Sequence, residues 1–127
     1  MRKLAISRSQ LRVVADQQGG PTAAADIASG ILHIAAAIKA ASTARGIYHF
    51  SGAPAVTWYE FAKAILSDRL DLEVHGIGSE EWPTSAPRPK NSVLDGSCLL
   101  RDFGLAQPDW RLALQNVLAR LASDDRT

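Results

Sequence analysis

Three prolines fall within seven residues of this chain: Pro83, Pro87 and Pro89. Each lacks a backbone donor and biases its predecessor toward extended geometry. The stretch Ser85-Ala86-Pro87-Arg88-Pro89-Lys90-Asn91-Ser92-Val93-Leu94-Asp95 therefore reads as neither helix nor ordinary strand. It predicts a stiff, extended loop that displays Arg88, Lys90 and Asn91. Ordered loops of this kind carry function more often than regular elements do.

The surrounding pattern alternates strands and helices. Leu11 to Val14 clusters apolar and β-branched residues and predicts a short strand. Gly19-Gly20-Pro21 ends it, and Thr22 is placed to cap a helix through its hydroxyl. Ile27, Ile31, Ile34 and Ile38 share one face of that helix, Asp26 suits its N-terminal dipole, and Gly46 should terminate it after about Ala44. Gly46 to Gly52 predicts a second strand. Thr57-Trp58-Tyr59-Glu60 is a capping box, with Val56 and Phe61 as a hydrophobic staple, opening a helix that runs to about Arg69. Leu72 to Ile77 predicts a third strand. A helical turn at Ser97 to Asp102 stops at Gly104. Asp109 caps a last helix whose apolar face is Trp110, Leu114, Val117, Leu118 and Leu121. Ser123 to Thr127 reads as a polar tail that frays. The fold class is α/β, with short strands alternating with three main helices. The 127 residues fit a single domain over 1–127.

Bulk properties narrow the function classes. A net charge of +1 offers no global field for nucleic acid or an acidic membrane. The apolar run Ile31 to Ala41 is broken by His33 and Lys39 and is too short for a bilayer. The start, Met1 to Arg8, has no apolar segment of signal-peptide type. The one cysteine, Cys98, excludes an internal disulfide, fits a cytoplasmic location and reads as a core residue.

Chemical motifs are sparse. The only G-x-G, Gly76-Ile77-Gly78, is followed by Ser79-Glu80-Glu81 instead of a third glycine. His33, His49 and His75 lie far apart, His33 on a helix flank and the others in strands, and suggest no metal site. Tyr59 and Lys63 match the Y-x-x-x-K spacing of short-chain dehydrogenases. But Glu60 belongs to the capping box, and no strand places a serine or threonine partner. The proline loop is the better site, because the Arg88 fork can bind a phosphate in bidentate fashion. Its competing reading is a solvated loop with Arg88 tied to a local carboxylate. The Gly19-Gly20-Pro21-Thr22 turn is a second candidate, since free amides at a helix N-terminus attract anions. It reads equally well as an ordinary strand-to-helix turn.

Taken in order, these segments resemble a known family. Val13-Val14-Ala15-Asp16-Gln17-Gln18-Gly19-Gly20-Pro21-Thr22 with Asp26-Ile27-Ala28 is similar to the later half of dTDP-4-dehydrorhamnose reductase, an extended short-chain dehydrogenase. So are Gly46 to Gly52, Thr57-Trp58, Phe61-Ala62, Pro83-Thr84, Ala86-Pro87-Arg88-Pro89, Asn91-Ser92, Leu94-Asp95, Phe103-Gly104-Leu105 and Pro108-Asp109-Trp110-Arg111. The resemblance implies a C-terminal, nucleotide-sugar-binding part with the Rossmann half absent. It implies Thr22, Arg88 and Asn91 as substrate-pocket residues and no catalytic residue in this chain. The full-length family uses NADPH to reduce the 4-keto group of a dTDP-6-deoxy sugar, giving dTDP-L-rhamnose. This chain alone is expected to bind no cofactor and to be inactive. Its Tyr59 and Lys63 fall on a helix that carries no catalytic pair in the family. The implied partners are a dTDP-sugar nucleotide and either the missing N-terminal half or a second copy, met through an exposed apolar face. The alternatives are a non-catalytic binding or regulatory module, resembling the regulatory subunit of methionine adenosyltransferase, and a degenerate product without function.

Overall fold

A computed structural model describes residues 1–124 of the chain. They divide into two units, each assembled from separate stretches of sequence. The first unit takes Met1–Gly19 and Ala55–Ser92; the second takes Gly20–Pro54 and Val93 onward.

The first unit is built on a parallel strand pair. β1 (Gln10–Val14) runs beside β4 (Glu73–Ile77), with Leu11 opposite Val74 and Val14 opposite Ile77. A parallel pair needs a crossover, and the helix α3 (Trp58–Ile65) supplies it, packing on both strands. The α3 start follows the local chemistry closely. Thr57 accepts from the Glu60 amide at 3.2 Å, and the Thr57 amide donates to Glu60 Oε2 at 3.1 Å. The helix closes at Leu66, short of the expected Arg69, because the next residues form a turn bonded from Arg69 N to Leu66 O. A short helix α1 (Arg2–Ala5) seals one end, and Ala5, Leu11, Leu66 and Leu72 form the core with Ile65 and Val74 against it. Two-residue strands β2 (Gln18–Gly19) and β3 (Val56–Thr57) pair antiparallel.

The second unit is mostly helical: α2 (Ala24–Lys39), α4 (Ser97–Phe103) and α5 (Trp110–Asp124). Leu99 and Trp110 are its best-buried large side chains, at 1% and 5% exposed. Gly30 lets α2 approach Phe50 and Leu105; an added Cβ would already touch Leu105 at 3.3 Å. Tyr48 meets Phe103 edge-on at 5.1 Å and donates its hydroxyl to Asp102 at 2.8 Å. That carboxylate raises the Tyr48 pKa. Gly104 ends α4 in the left-handed region at φ 65°, and Asp109 accepts from the Arg111 amide at 2.8 Å as the cap of α5.

Several sequence expectations change here. Thr22 does not cap α2. Its hydroxyl donates to Gly20 O and accepts from Gly52 N, both at 2.9 Å, so α2 begins two residues later with no side-chain cap. Nor does α2 wait for Gly46. Ala41 takes φ 68°, Ser42 N bonds Ala37 O at 3.0 Å and Ala41 N bonds Ile38 O at 3.1 Å. That bond pair is a Schellman closure with alanine at the left-handed position. The Ile face is also turned outward: Ile27, Ile31 and Ile38 are exposed, while Gly30 is buried and Ile34 and Ala37 are half-buried. Gly46 to Gly52 forms no strand, since among the described residues no strand lies beside it; Ile47 stands 85% exposed. Only Ala53, just beyond, bridges to Asp109. On α5, Trp110 is buried and Leu114 and Leu118 half-buried, but Val117 and Leu121 are exposed. The helix runs through Ser123 and Asp124, into the tail expected to fray; residues 125–127 lie outside the described residues.

Candidate functional site

The proline loop is irregular from Trp82 to Pro89 and exposed throughout, then is caught at its far end. Gln18 N donates to Lys90 O at 2.9 Å, and Ser92 N and Oγ both donate to Gln18 O, at 3.0 and 2.9 Å. Gln18 thus lies between Thr57 on one side and Asn91 on the other. Gly19 makes room for the arrangement: a Cβ there would lie 2.7 Å from Ser92 Oγ. Prolines stiffen the loop and an isolated parallel bridge from Gln18 to Asn91 anchors it, so Arg88 projects from a fixed base.

The loop's charges divide into two roles. Lys90 Nζ pairs with Asp16 at 3.1 Å. Asp16 also accepts from Ser79, at 3.0 Å from its amide and 2.6 Å from its hydroxyl. These donors, the Ser79 hydroxyl foremost, hold the Asp16 carboxyl below its ordinary pKa. Lys90 therefore secures the loop locally. Arg88 makes no ion pair or hydrogen bond among the described residues, and the local carboxylate that would have occupied it is not found. Its guanidinium keeps all five donors for a ligand. Arg88 and Asn91 belong to the first unit and Thr22 to the second. Thr22 was implied as a pocket residue; its hydroxyl, expected to cap a helix, instead ties the turn at Gly20 to Gly52. At this point the chain approaches itself closely enough that only glycine fits: a Cβ on Gly52 would lie 1.9 Å from Pro21 O.

Other candidates resolve into structure. Lys63 Nζ sits 5.3 Å from the Tyr59 ring centroid, and that ring covers Gly76 on β4. The pair packs as a cation–π contact on a strand surface. His33 contacts Phe103 O at 2.8 Å, His75 lies 3.2 Å from Glu73, and His49 sits outside any strand. Cys98 is half-buried, not core. No three His, Cys, Asp or Glu side chains converge among the described residues. The Gly76-Ile77-Gly78 stretch does not fit a dinucleotide. It leads into a 3₁₀ turn at Ser79–Glu81, Glu81 accepts from the Gly78 amide at 3.3 Å, and Glu80 crowds Gly78. Carboxylates stand where a pyrophosphate would need free amides.

Sequence reasoning missed an apolar groove in the first unit, about 260 Å³, lined by Trp58 and Trp82 along β1. Trp58 was read only as part of the Thr57 capping box, and Trp82, next to Pro83, was not singled out. Tryptophan beside turn residues was the available signal.

The RmlD substrate binding domain family matches residues 1–123. The chain belongs to this family. A dTDP-4-dehydrorhamnose reductase of Aggregatibacter actinomycetemcomitans is 43% identical over 127 residues, covering 94% of this chain and 43% of that protein. The spore coat polysaccharide biosynthesis protein SpsK of Bacillus subtilis is 38% identical, covering 97% of this chain and 41% of its own length. Among solved structures, a dTDP-4-dehydrorhamnose reductase from Clostridium acetobutylicum superposes with TM-score 0.86 at 30% identity, over 95% of this chain and 42% of the other. One from Bacillus anthracis, in complex with NADP, gives 0.75 at 32%, over 94% and 41%. This RmlD substrate binding domain thus spans about two-fifths of the length of the relatives it matches. No helix among the described residues is long and apolar enough to cross a membrane.

Proposed function

We propose that this RmlD substrate binding domain forms the dTDP-sugar-binding part of a dTDP-4-dehydrorhamnose reductase. Arg88 holds the diphosphate. Asn91 sets the loop end, and Thr22, in the second unit, is a further substrate-binding residue that shapes the Gly-Pro turn. The match of residues 1–123 to a substrate-binding family carries the reading. It is supported by the guanidinium left unpaired on an anchored loop. Hydride chemistry, with NADPH and a catalytic tyrosine and lysine, belongs to a Rossmann half that meets the exposed isoleucines of α2. The site of action is the cytoplasm.

Calorimetry with dTDP tests the pocket. Binding should weaken about tenfold or more in Arg88→Ala, the scale of losing a charge-assisted bidentate contact. Unchanged binding in that variant would sink the reading. Separately, the pure chain should not oxidise NADPH with the keto-sugar nucleotide; turnover would show that it needs no second half. The regulatory-module alternative is favoured by the same exposed α2 face. It would be chosen over the pocket if dTDP failed to bind while a stable partner complex formed.

A further inference from the structure

The groove beside β1 has a chemistry of its own. Its walls are Leu11, Val13 and two indoles, with Trp58 37% and Trp82 56% exposed. Large aromatic surface left open on a concave wall marks a place for a flat apolar ligand. Arg12 lines the groove too, but its guanidinium is held by Glu81. Gln17 also lines it. Its amide donates to Ser79 Oγ at 2.9 Å. That leaves the Gln17 carbonyl oxygen and one N–H uncommitted. From Gln17 a continuous polar chain runs through Ser79 and Asp16 to Lys90, two residues from Arg88.

We infer that this groove seats the pyrimidine ring of the nucleotide, stacked on Trp82 and Trp58, with its diphosphate directed along the Gln17–Ser79–Asp16–Lys90 chain toward Arg88. The inference rests on the dTDP-sugar reading above and adds the seat of the base. The carbonyl oxygen and remaining N–H of the Gln17 carboxamide match an imide edge, which offers one N–H between two carbonyls. Stacking supplies affinity and the carboxamide supplies selection.

The test titrates the full chain with dTDP, thymidine and inorganic pyrophosphate, following indole fluorescence and heat. Thymidine and dTDP should quench saturably, and pyrophosphate should not. Trp82→Ala should weaken both thymidine and dTDP about tenfold, as loss of one stacked base does; Trp82→Phe should recover most of it. Arg88→Ala should weaken dTDP and leave thymidine unchanged. If dTDP binds, responds to Arg88→Ala and ignores both Trp82→Ala and Trp58→Ala, the base lies elsewhere and only the groove is overturned. If thymidine quenches and responds to Trp82→Ala while dTDP binds no tighter and ignores Arg88→Ala, the groove stands and the diphosphate reading falls. Absence of quenching by either nucleotide, in a chain with native circular dichroism, overturns the groove.

Discussion

Individual residues in this chain are committed to one task each, and their commitments decide what is left for a ligand. Lys90 is committed to Asp16, so the positive charge available on the loop is that of Arg88. The Asp16 carboxyl titrates below an unfolded aspartate, so it stabilises the fold above the ordinary carboxylate range. That contribution is lost as pH falls through its depressed pKa. Asp16→Asn should therefore lower stability at neutral pH and flatten the acid limb of a stability–pH curve; an unchanged limb would refute the link. Glycine commitments are steric. Gly52→Ala puts a methyl 1.9 Å from Pro21 O and should cost about 2 kcal/mol or more in urea denaturation, with the backbone forced to shift. Thr22→Ser keeps the hydroxyl that ties Gly20 to Gly52 and should cost far less than Thr22→Val.

Elements whose signals are local were legible, and those that depend on distant partners were not. Thr57 and Glu60 lie one turn apart, so the capping box could be read directly; Thr57→Ala should cost about 1 kcal/mol by thermal melt. The strands at Leu11 and Val74 were readable as apolar stretches, but their parallel register joins residues some sixty positions apart and leaves no local trace. Gly46 to Gly52 has strand composition, yet a strand exists only beside another. Thr22 looked like a cap because its suitor, the Gly52 amide, comes thirty residues later. The end of α2 was misread for a related reason: alanine at a left-handed position gives no warning. Ala41 pays a steric cost there that glycine would not. Ala41→Gly should accordingly raise stability by about 0.5 kcal/mol or more, after the added entropy of the unfolded chain. The exposed setting of Arg88 was legible from its framing prolines; the Trp groove was not, since its wall joins β1 to Trp58 and Trp82, which lie far from it in sequence.

At the scale of the molecule, each unit leaves apolar surface without a cover. On α2 alone Ile27, Ile31, Leu32 and Ile38 are exposed, with Ile31 at 61%. Burial is worth about 25 cal/mol per Å², so such a face favours association. Ile31→Lys should abolish any concentration-dependent sedimentation of the isolated chain while leaving its melting temperature nearly unchanged. Retained association would place the sticky surface elsewhere. The chain also passes between its two units three times, after Gly19, Pro54 and Ser92. No single cut can therefore part them. A nick in the exposed residues around Arg45 would leave pieces 1–45 and 46–127 that each hold part of both units, clasped by the β1–β4 ladder and by the seat of Gly30 against Phe50 and Leu105. The molecule is built as a natural candidate for split-fragment complementation: two separately expressed pieces that find each other and restore one fold.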